Sequence, residues 1–350
     1  MKTADFDYEL PSRLIAQTPT ETRDAARLLV VVRDDGGIAH TRFRELGEYL
    51  RPGDLVVCND TRVIHARLFG HKVPTGGKVE LLLTAKREAT VWEALTRGRR
   101  VPVGGVVEFS GVDARSTAMN LRAEVGERIA SGGRLVRFDQ PVEPFMEQFG
   151  SVPLPPYIHR KLEDPTRYQT VYAHQNGSAA APTAGLHFTP SLMSALQAEG
   201  IEFSFLTLHI GVDTFLPIRE EDAEKHPMHS EYCFVSRETA EAVNRVKSSG
   251  RRVVAAGTTV VRALETTARE TTGAHSRDIG PYKGWTDLFI YPGYSFQVVD
   301  CMITNFHLPR STLLLLVAAF AGKELLSRAY EEAMQKEYRF YSFGDAMLIL

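Results

Sequence analysis

The stretch from Ala66 to Val152 is built unlike the chain on either side of it. Six short β-rich runs follow one another: Ala66–Val73, Lys78–Ala85, Thr90–Thr96, Val106–Ser110, Asn120–Val125 and Arg134–Asp139. Glycine turns separate them, and no convincing helix lies between the middle ones. Strands at this spacing predict a small antiparallel barrel, a closed form that leaves no unpaired edge. The exit is stiffened by Pro153, Pro155, Pro156 and Pro165, which marks a boundary.

The flanks alternate strand and helix. Asp54–Cys58 is a short apolar run that ends in the polar cluster Asn59-Asp60-Thr61-Arg62. Ser191–Glu199 predicts a helix closed by Gly200, and Glu202–His209 a strand. Ser236 caps a helix over Arg237–Ser248. Arg252–Ala256 predicts a strand opening onto Gly257-Thr258-Thr259, with Val260–Arg269 helical behind it. Asp287–Tyr291 predicts another strand, and Leu313–Ala321 and Glu324–Lys336 have helical period. The expected fold is a three-layer α/β/α core domain, residues 1–65 and 153–350, carrying an inserted small antiparallel β-barrel domain, residues 66–152.

Composition adds limits. The 350 residues suffice for two domains with their own cores, and 43% hydrophobic with 24% charged residues excludes wholesale disorder. Cys58, Cys233 and Cys301 fit no zinc or redox spacing, and three is a poor number for a disulfide framework. Met1–Leu10 has no apolar run, and Leu313–Ala321 is too short to span a bilayer, so a soluble, cytoplasmic protein is expected. The net charge of −2 excludes a strongly basic nucleic-acid binder.

Seven of the eleven histidines fall between residues 174 and 307. His187, His209, His229 and His307 each follow an apolar stretch in a small, polar setting. One such histidine is more often structural; four together point to proton-transfer chemistry. His226 and His229 are three apart with Glu231 close, but Pro227 and the lack of a metal-binding helix motif argue against a metal site. Gly257-Thr258-Thr259-Val260-Val261-Arg262 opens a helix whose free N–H groups favour an anion, although an ordinary strand-to-helix turn has the same look. Ala181–Thr189 is small and uncharged, which permits close backbone approach. Arg97, Arg99 and Arg100, beyond Trp92, form a basic patch that could hold phosphates, although a solvated edge strand is the commoner explanation.

Many of these stretches recur together in one family. The chain resembles the S-adenosylmethionine:tRNA ribosyltransferase-isomerases of queuosine biosynthesis. The matching segments are Asp5–Gln17, Pro52–Leu68, Leu154–Ile158, Tyr168–Ala173, Ala181–Thr189, Thr207–Gly211, Met228–Glu231, Gly257–Glu265, Thr286–Leu316 and Tyr338–Ile349. They run in family order over nearly the whole chain.

The resemblance implies a reaction. The ribosyl part of S-adenosylmethionine is moved onto the 7-aminomethyl group of a 7-deazaguanine (preQ1) at the tRNA wobble position and isomerised to give epoxyqueuosine. Adenine and methionine are released, so S-adenosylmethionine is a co-substrate and no other cofactor is expected. The implied RNA partner has a GUN anticodon, and the protein acts as a monomer. On this reading His187, His209, His229 and His307 form the acid/base set, in no fixed order. Asp60 and Glu231 are candidate carboxylates for the sulfonium or the ribose hydroxyls. Thr258, Thr259 and Arg262 would take the methionine carboxylate. Arg62 and Asn305 would orient ribose or base, and Thr183 lies in the small uncharged stretch. No metal is expected. The chain departs from the family pattern at His65, Asp213, Val260 and Cys301-Met302. Two other classes compete: an RNA-binding module without activity, and a metal-dependent hydrolase.

Charge distribution refines the exclusion. Residues 66–152 carry 13 Lys+Arg and 10 Asp+Glu, a net of +3, which leaves −5 for the remainder. Phosphate contacts are therefore expected to be few and local.

Overall fold

The computed structural model describes residues 1–98, 101–112, 118–129, 133–211, 214, 217–271 and 278–350. Arg99, Arg100, Asp213 and His275 lie outside them. The chain divides into two compact units. One comprises Met1–Arg62, Pro155–Gln175 and Ala181–Leu350; the other comprises Val63–Leu154 and Asn176–Ala180.

In the first unit, strands β1 (Arg27–Val31), β2 (Ile38–Arg42) and β3 (Leu55–Asn59) come first. The short strands β4 (Thr61–Val63) and β11 (Gln175–Ser178) lie where the chain passes between units.

The second unit is a barrel. Among the described residues, β5 (Arg67–Val73), β6 (Lys78–Lys86), β7 (Val91–Gly98), β8 (Gly105–Val112), β9 (Ala118–Arg128) and β10 (Arg134–Phe138) close in the order β10-β7-β6-β5-β8-β9, every pair antiparallel. The period-two alternation explains the closure. In β6, Val79, Leu81 and Leu83 are buried while Lys78 and Lys86 are exposed. Inward-facing Leu68, Val107, Phe109, Leu121 and Val136 complete the core with them. Helix α1 (Glu143–Phe149) adds Phe145 and Met146. Gly70 is needed because a Cβ there would meet the Phe109 ring at 2.7 Å. Trp92 is part of this interior rather than of a surface patch.

The first unit continues with α2 (Pro190–Ala198), β12 (Glu202–Leu208), β13 (Glu231–Val235), α3 (Arg237–Ser248), β14 (Val253–Ala256) and α4 (Thr258–Thr271). It ends with β15 (Tyr282–Thr286), β16 (Cys301–Asn305), α5 (Thr312–Ala321), α6 (Lys323–Gln335) and β17 (Ala346–Ile349). Among the described residues, nine strands form one mixed sheet in the order β15-β13-β12-β3-β14-β16-β17-β1-β2. Leu28, Val56, Val254, Ile303 and Leu348 share one face and pack on Phe43, Phe188, Leu192 and Leu196. Their opposite-parity neighbours Leu29, Val57, Ala255, Met302 and Met347 are equally buried, so both faces are covered, as an α/β core requires. Helix starts follow local chemistry: the Thr189 and Ser236 hydroxyls accept from the amides of Leu192 and Thr239, at 3.1 and 3.2 Å.

One expected element is displaced. Asp287–Tyr291 is irregular, and the strand is the preceding Tyr282–Thr286, paired antiparallel with β13. Leu288 and Ile290 after it are buried without pairing: Leu288 donates its amide to the Thr286 hydroxyl and its carbonyl accepts from Arg262.

Candidate active site

Strands β12, β3, β14 and β16 are adjacent and parallel, so their carboxyl ends open on one edge. In α/β sheets that edge is where ligands bind. The residues leaving these strands are His209 after β12, Asp60-Thr61 after β3, Gly257-Thr258-Thr259 after β14, and Phe306-His307 after β16. The four exits are far apart in the sequence; parallel pairing makes them neighbours.

Asn59 ties the edge together. It is completely buried at the end of β3. Its Nδ2 donates to the Leu208 carbonyl (2.9 Å) and to the Thr259 hydroxyl (3.2 Å). Its Oδ1 accepts from the amides of Leu208 (3.0 Å) and Thr61 (3.1 Å). One side chain thus joins the ends of β3 and β12 to the start of α4. Gly257 precedes that helix with φ +111, a conformation an L side chain rarely adopts. Thr258 and Thr259 are buried in its first turn.

His209 Nδ1 lies 2.7 Å from the Thr61 hydroxyl, and the ring stacks on Tyr232 at 5.5 Å. Burial lowers its pKa, so the imidazole is neutral near pH 7. Across the strand pair, Glu231 is almost wholly buried. Its Oε1 accepts from the Gly211 amide (2.8 Å) and the Thr214 hydroxyl (3.3 Å) and lies 3.3 Å from His229 Nε2. Its Oε2 accepts from Arg262. Burial alone would raise this carboxyl, but Arg262, His229 and the Gly211 amide bring it down to about 2. Asp60, half-buried, accepts from the Thr207 hydroxyl at 2.7 Å, and burial raises its pKa.

A second group lies at the end of β16. Asn305 Nδ2 donates to the Tyr341 carbonyl (3.2 Å) and lies 3.3 Å from His187 Nε2, while its buried Oδ1 has no partner among the described residues. His187 ends the one-turn 3-10 helix Thr183–His187, at whose start Thr183 is half-buried. The His187 ring packs on Phe43 and is also hydrogen bonded to the Arg23 backbone; burial lowers its pKa to about 4.

Three expected residues stand differently from the simplest picture. Arg262 donates to Glu231, to the Leu288 carbonyl (3.1 Å) and to the Thr286 carbonyl (3.4 Å), so its guanidinium is engaged. His307 is buried with Nε2 2.7 Å from the Thr304 hydroxyl, its amide accepted by Tyr330 and its carbonyl accepting from Tyr8. No hydrogen bond among the described residues joins it to the other three histidines. Arg62 is exposed. His226 pairs with Glu220 at 2.7 Å and His229 with Glu231 at 3.3 Å, and no group of three or more His, Cys, Asp or Glu among the described residues is arranged to hold a metal ion.

A family profile described as "Queuosine biosynthesis protein" matches residues 3–349. The chain belongs to that family. Similar full-length proteins include the S-adenosylmethionine:tRNA ribosyltransferase-isomerases of Symbiobacterium thermophilum and Moorella thermoacetica, each 51% identical, and of Staphylococcus epidermidis, 47% identical, covering 100% of both chains. The crystal structure of an S-adenosylmethionine tRNA ribosyltransferase from Thermotoga maritima is 39% identical over 99% of this chain and 100% of that one, with a TM-score of 0.56.

The same edge also involves residues without a distinct signal of their own in the sequence. Asn59 and Thr61 stood inside a recognised polar cluster, but their targets, Thr259 and His209, are 200 and 148 positions away. Tyr232, on which His209 stacks, had no local signal.

Proposed function

We propose that this chain is an S-adenosylmethionine:tRNA ribosyltransferase-isomerase. It transfers and isomerises the ribosyl moiety of S-adenosylmethionine onto preQ1 at the wobble position of a GUN-anticodon tRNA, giving epoxyqueuosine, adenine and methionine. S-adenosylmethionine is the co-substrate, and the protein works as a cytoplasmic monomer. The full-length match to relatives of that name carries the reading.

The chemistry has clear requirements. The C5′ protons beside the sulfonium are acidic, so a neutral base can remove one. The attacking amine must be neutral, and adenine leaves more readily when protonated. His209 is neutral near pH 7 and shares the β12–β13 edge with His229, so these two are assigned the proton transfers. Asp60 has the more open carboxylate and is assigned the sulfonium or ribose hydroxyls. Glu231 instead holds Arg262 and His229 in place. With Arg262 engaged, the methionine carboxylate is assigned to Thr258, Thr259 and the first amides of α4. The unpartnered Asn305 Oδ1 suits a ribose hydroxyl or the adenine amino group, and His187 orients it. Arg62 and Thr183 are assigned substrate contacts, and His307 supports the β16 exit.

The test is adenine release from S-adenosylmethionine with preQ1-bearing tRNA in the presence of chelator. Turnover supports the reading and removes both competing classes. TRNA binding without turnover would leave an inactive binding module, and turnover abolished by chelator would indicate a metal enzyme.

A further inference from the structure

The outer face of the barrel carries an aromatic residue where solvent would be expected to favour a polar one. Phe69 on β5 is 61% exposed. Strand register places it opposite Glu80, which in turn is opposite Arg97 on β7; His71 is opposite Lys78 in the next outward row. Phe69, His71, Lys78, Glu80 and Arg97 line one groove. The two acids beside these residues are already matched: Glu80 with Arg67 at 3.4 Å, and Glu108, opposite His71, with Arg122 at 3.1 Å. Lys78 and Arg97 are exposed and form no ion pair among the described residues. The sequence continues from Arg97 into Gly98-Arg99-Arg100, in a segment whose net charge is +3.

An accessible ring beside uncommitted cations fits one partner chemistry well. A base stacks on the ring while the phosphates next to it meet the cations, an arrangement that tolerates any base. A protein partner would find here a single aromatic amid charge rather than an apolar core. We propose that this groove binds an unpaired nucleotide of the RNA substrate, with Phe69 as the stacking platform and Lys78 and Arg97 as phosphate contacts. The inference rests on the RNA-modifying reading and adds a surface to it.

The experiment measures tRNA affinity and the KM for tRNA in adenine release, for wild type, Phe69→Ala, Phe69→Trp, Lys78→Ala and Arg97→Ala. Phe69→Ala should weaken tRNA roughly 5- to 150-fold, and Phe69→Trp should restore it. Lys78→Ala and Arg97→Ala should each lower the slope of log affinity against log salt by about 1. S-adenosylmethionine affinity and turnover at saturating tRNA should not change. An unstructured RNA oligonucleotide should compete for the wild type, and a blunt RNA duplex should not. Unchanged tRNA affinity and KM in Phe69→Ala, with normal wild-type turnover, would overturn the groove while leaving the reaction intact. Absence of wild-type turnover, with tRNA affinity still lost in Phe69→Ala, would overturn the reaction and support the groove.

Discussion

Arg262 and Glu231 form an ion pair whose side chains are only 5% and 2% exposed, linking the first turns of α4 to the start of β13. A pair this deep is held by its surroundings: the carboxylate also receives the Gly211 amide and the Thr214 hydroxyl, and the guanidinium reaches two backbone carbonyls. Removing one partner strands the other charge in a buried site. Arg262→Met should destabilise the protein by about 3–5 kcal/mol, measured by denaturant unfolding. A loss below about 1 kcal/mol would mean that Glu231 finds another cation.

Glu231 is also a source of acid sensitivity. Its folded pKa, about 2, lies below the ordinary 4.5, so its contribution is fully present above pH 4.5 and is lost as pH falls toward 2. In Glu231→Gln the unfolding free energy should lose that part of its pH dependence. An unaltered acid limb would contradict the assignment.

His187 and His307 act at milder pH. Burial holds them neutral, with folded values near 4 and 3 against 6.5 in the unfolded chain. The unfolded state therefore binds more protons below pH 6.5, and stability is present above 6.5 and falls as pH drops toward 4. His307→Gln should make the unfolding free energy shallower there by about 1.4 kcal/mol per pH unit. Equilibrium unfolding between pH 4 and 7 reads this directly.

Asn59 is expected to be a positioning residue. Asn59→Ala leaves the Leu208 and Thr61 amides without their acceptor and should cost about 2–4 kcal/mol in unfolding free energy. Adenine release should fall in kcat more than it rises in KM for S-adenosylmethionine. Equal, small effects on both would assign Asn59 to stability alone.

The acid/base assignment separates the histidines. His209→Ala and His229→Ala should reduce adenine release by about 10²–10⁴-fold. His187→Ala should mainly raise the KM for S-adenosylmethionine, since His187 acts through Asn305. Near-normal turnover in both His209→Ala and His229→Ala would remove them from the reaction.

Much of the site was legible because its residues sit at strand exits with small or polar neighbours. Asp60, His209, Thr258, Thr259 and Asn305 share the carboxyl edge. Arg262 was legible only as a cation near an anion-friendly helix start. Its engagement by Glu231, 31 positions earlier, and by the carbonyls of Thr286 and Leu288 left no sequence signal. The strand displaced from Asp287–Tyr291 to Tyr282–Thr286 failed for a related reason. Leu288 and Ile290 are apolar because they are buried, and burial does not require pairing.

By itself the sequence determined the barrel's strands, the capped helices and the family. Alternation of residues such as Val79, Leu81 and Leu83, and caps such as Ser236 over Thr239, act within a few positions and survive as local patterns. Tertiary structure decided which exits meet. Asn59 reaches Thr259, Thr61 reaches His209 and Phe69 comes to lie two strands from Arg97 only when the sheets pair. Those partners are chosen by strand order and register, which depend on the free energy of the whole packed layer rather than on any neighbouring residue.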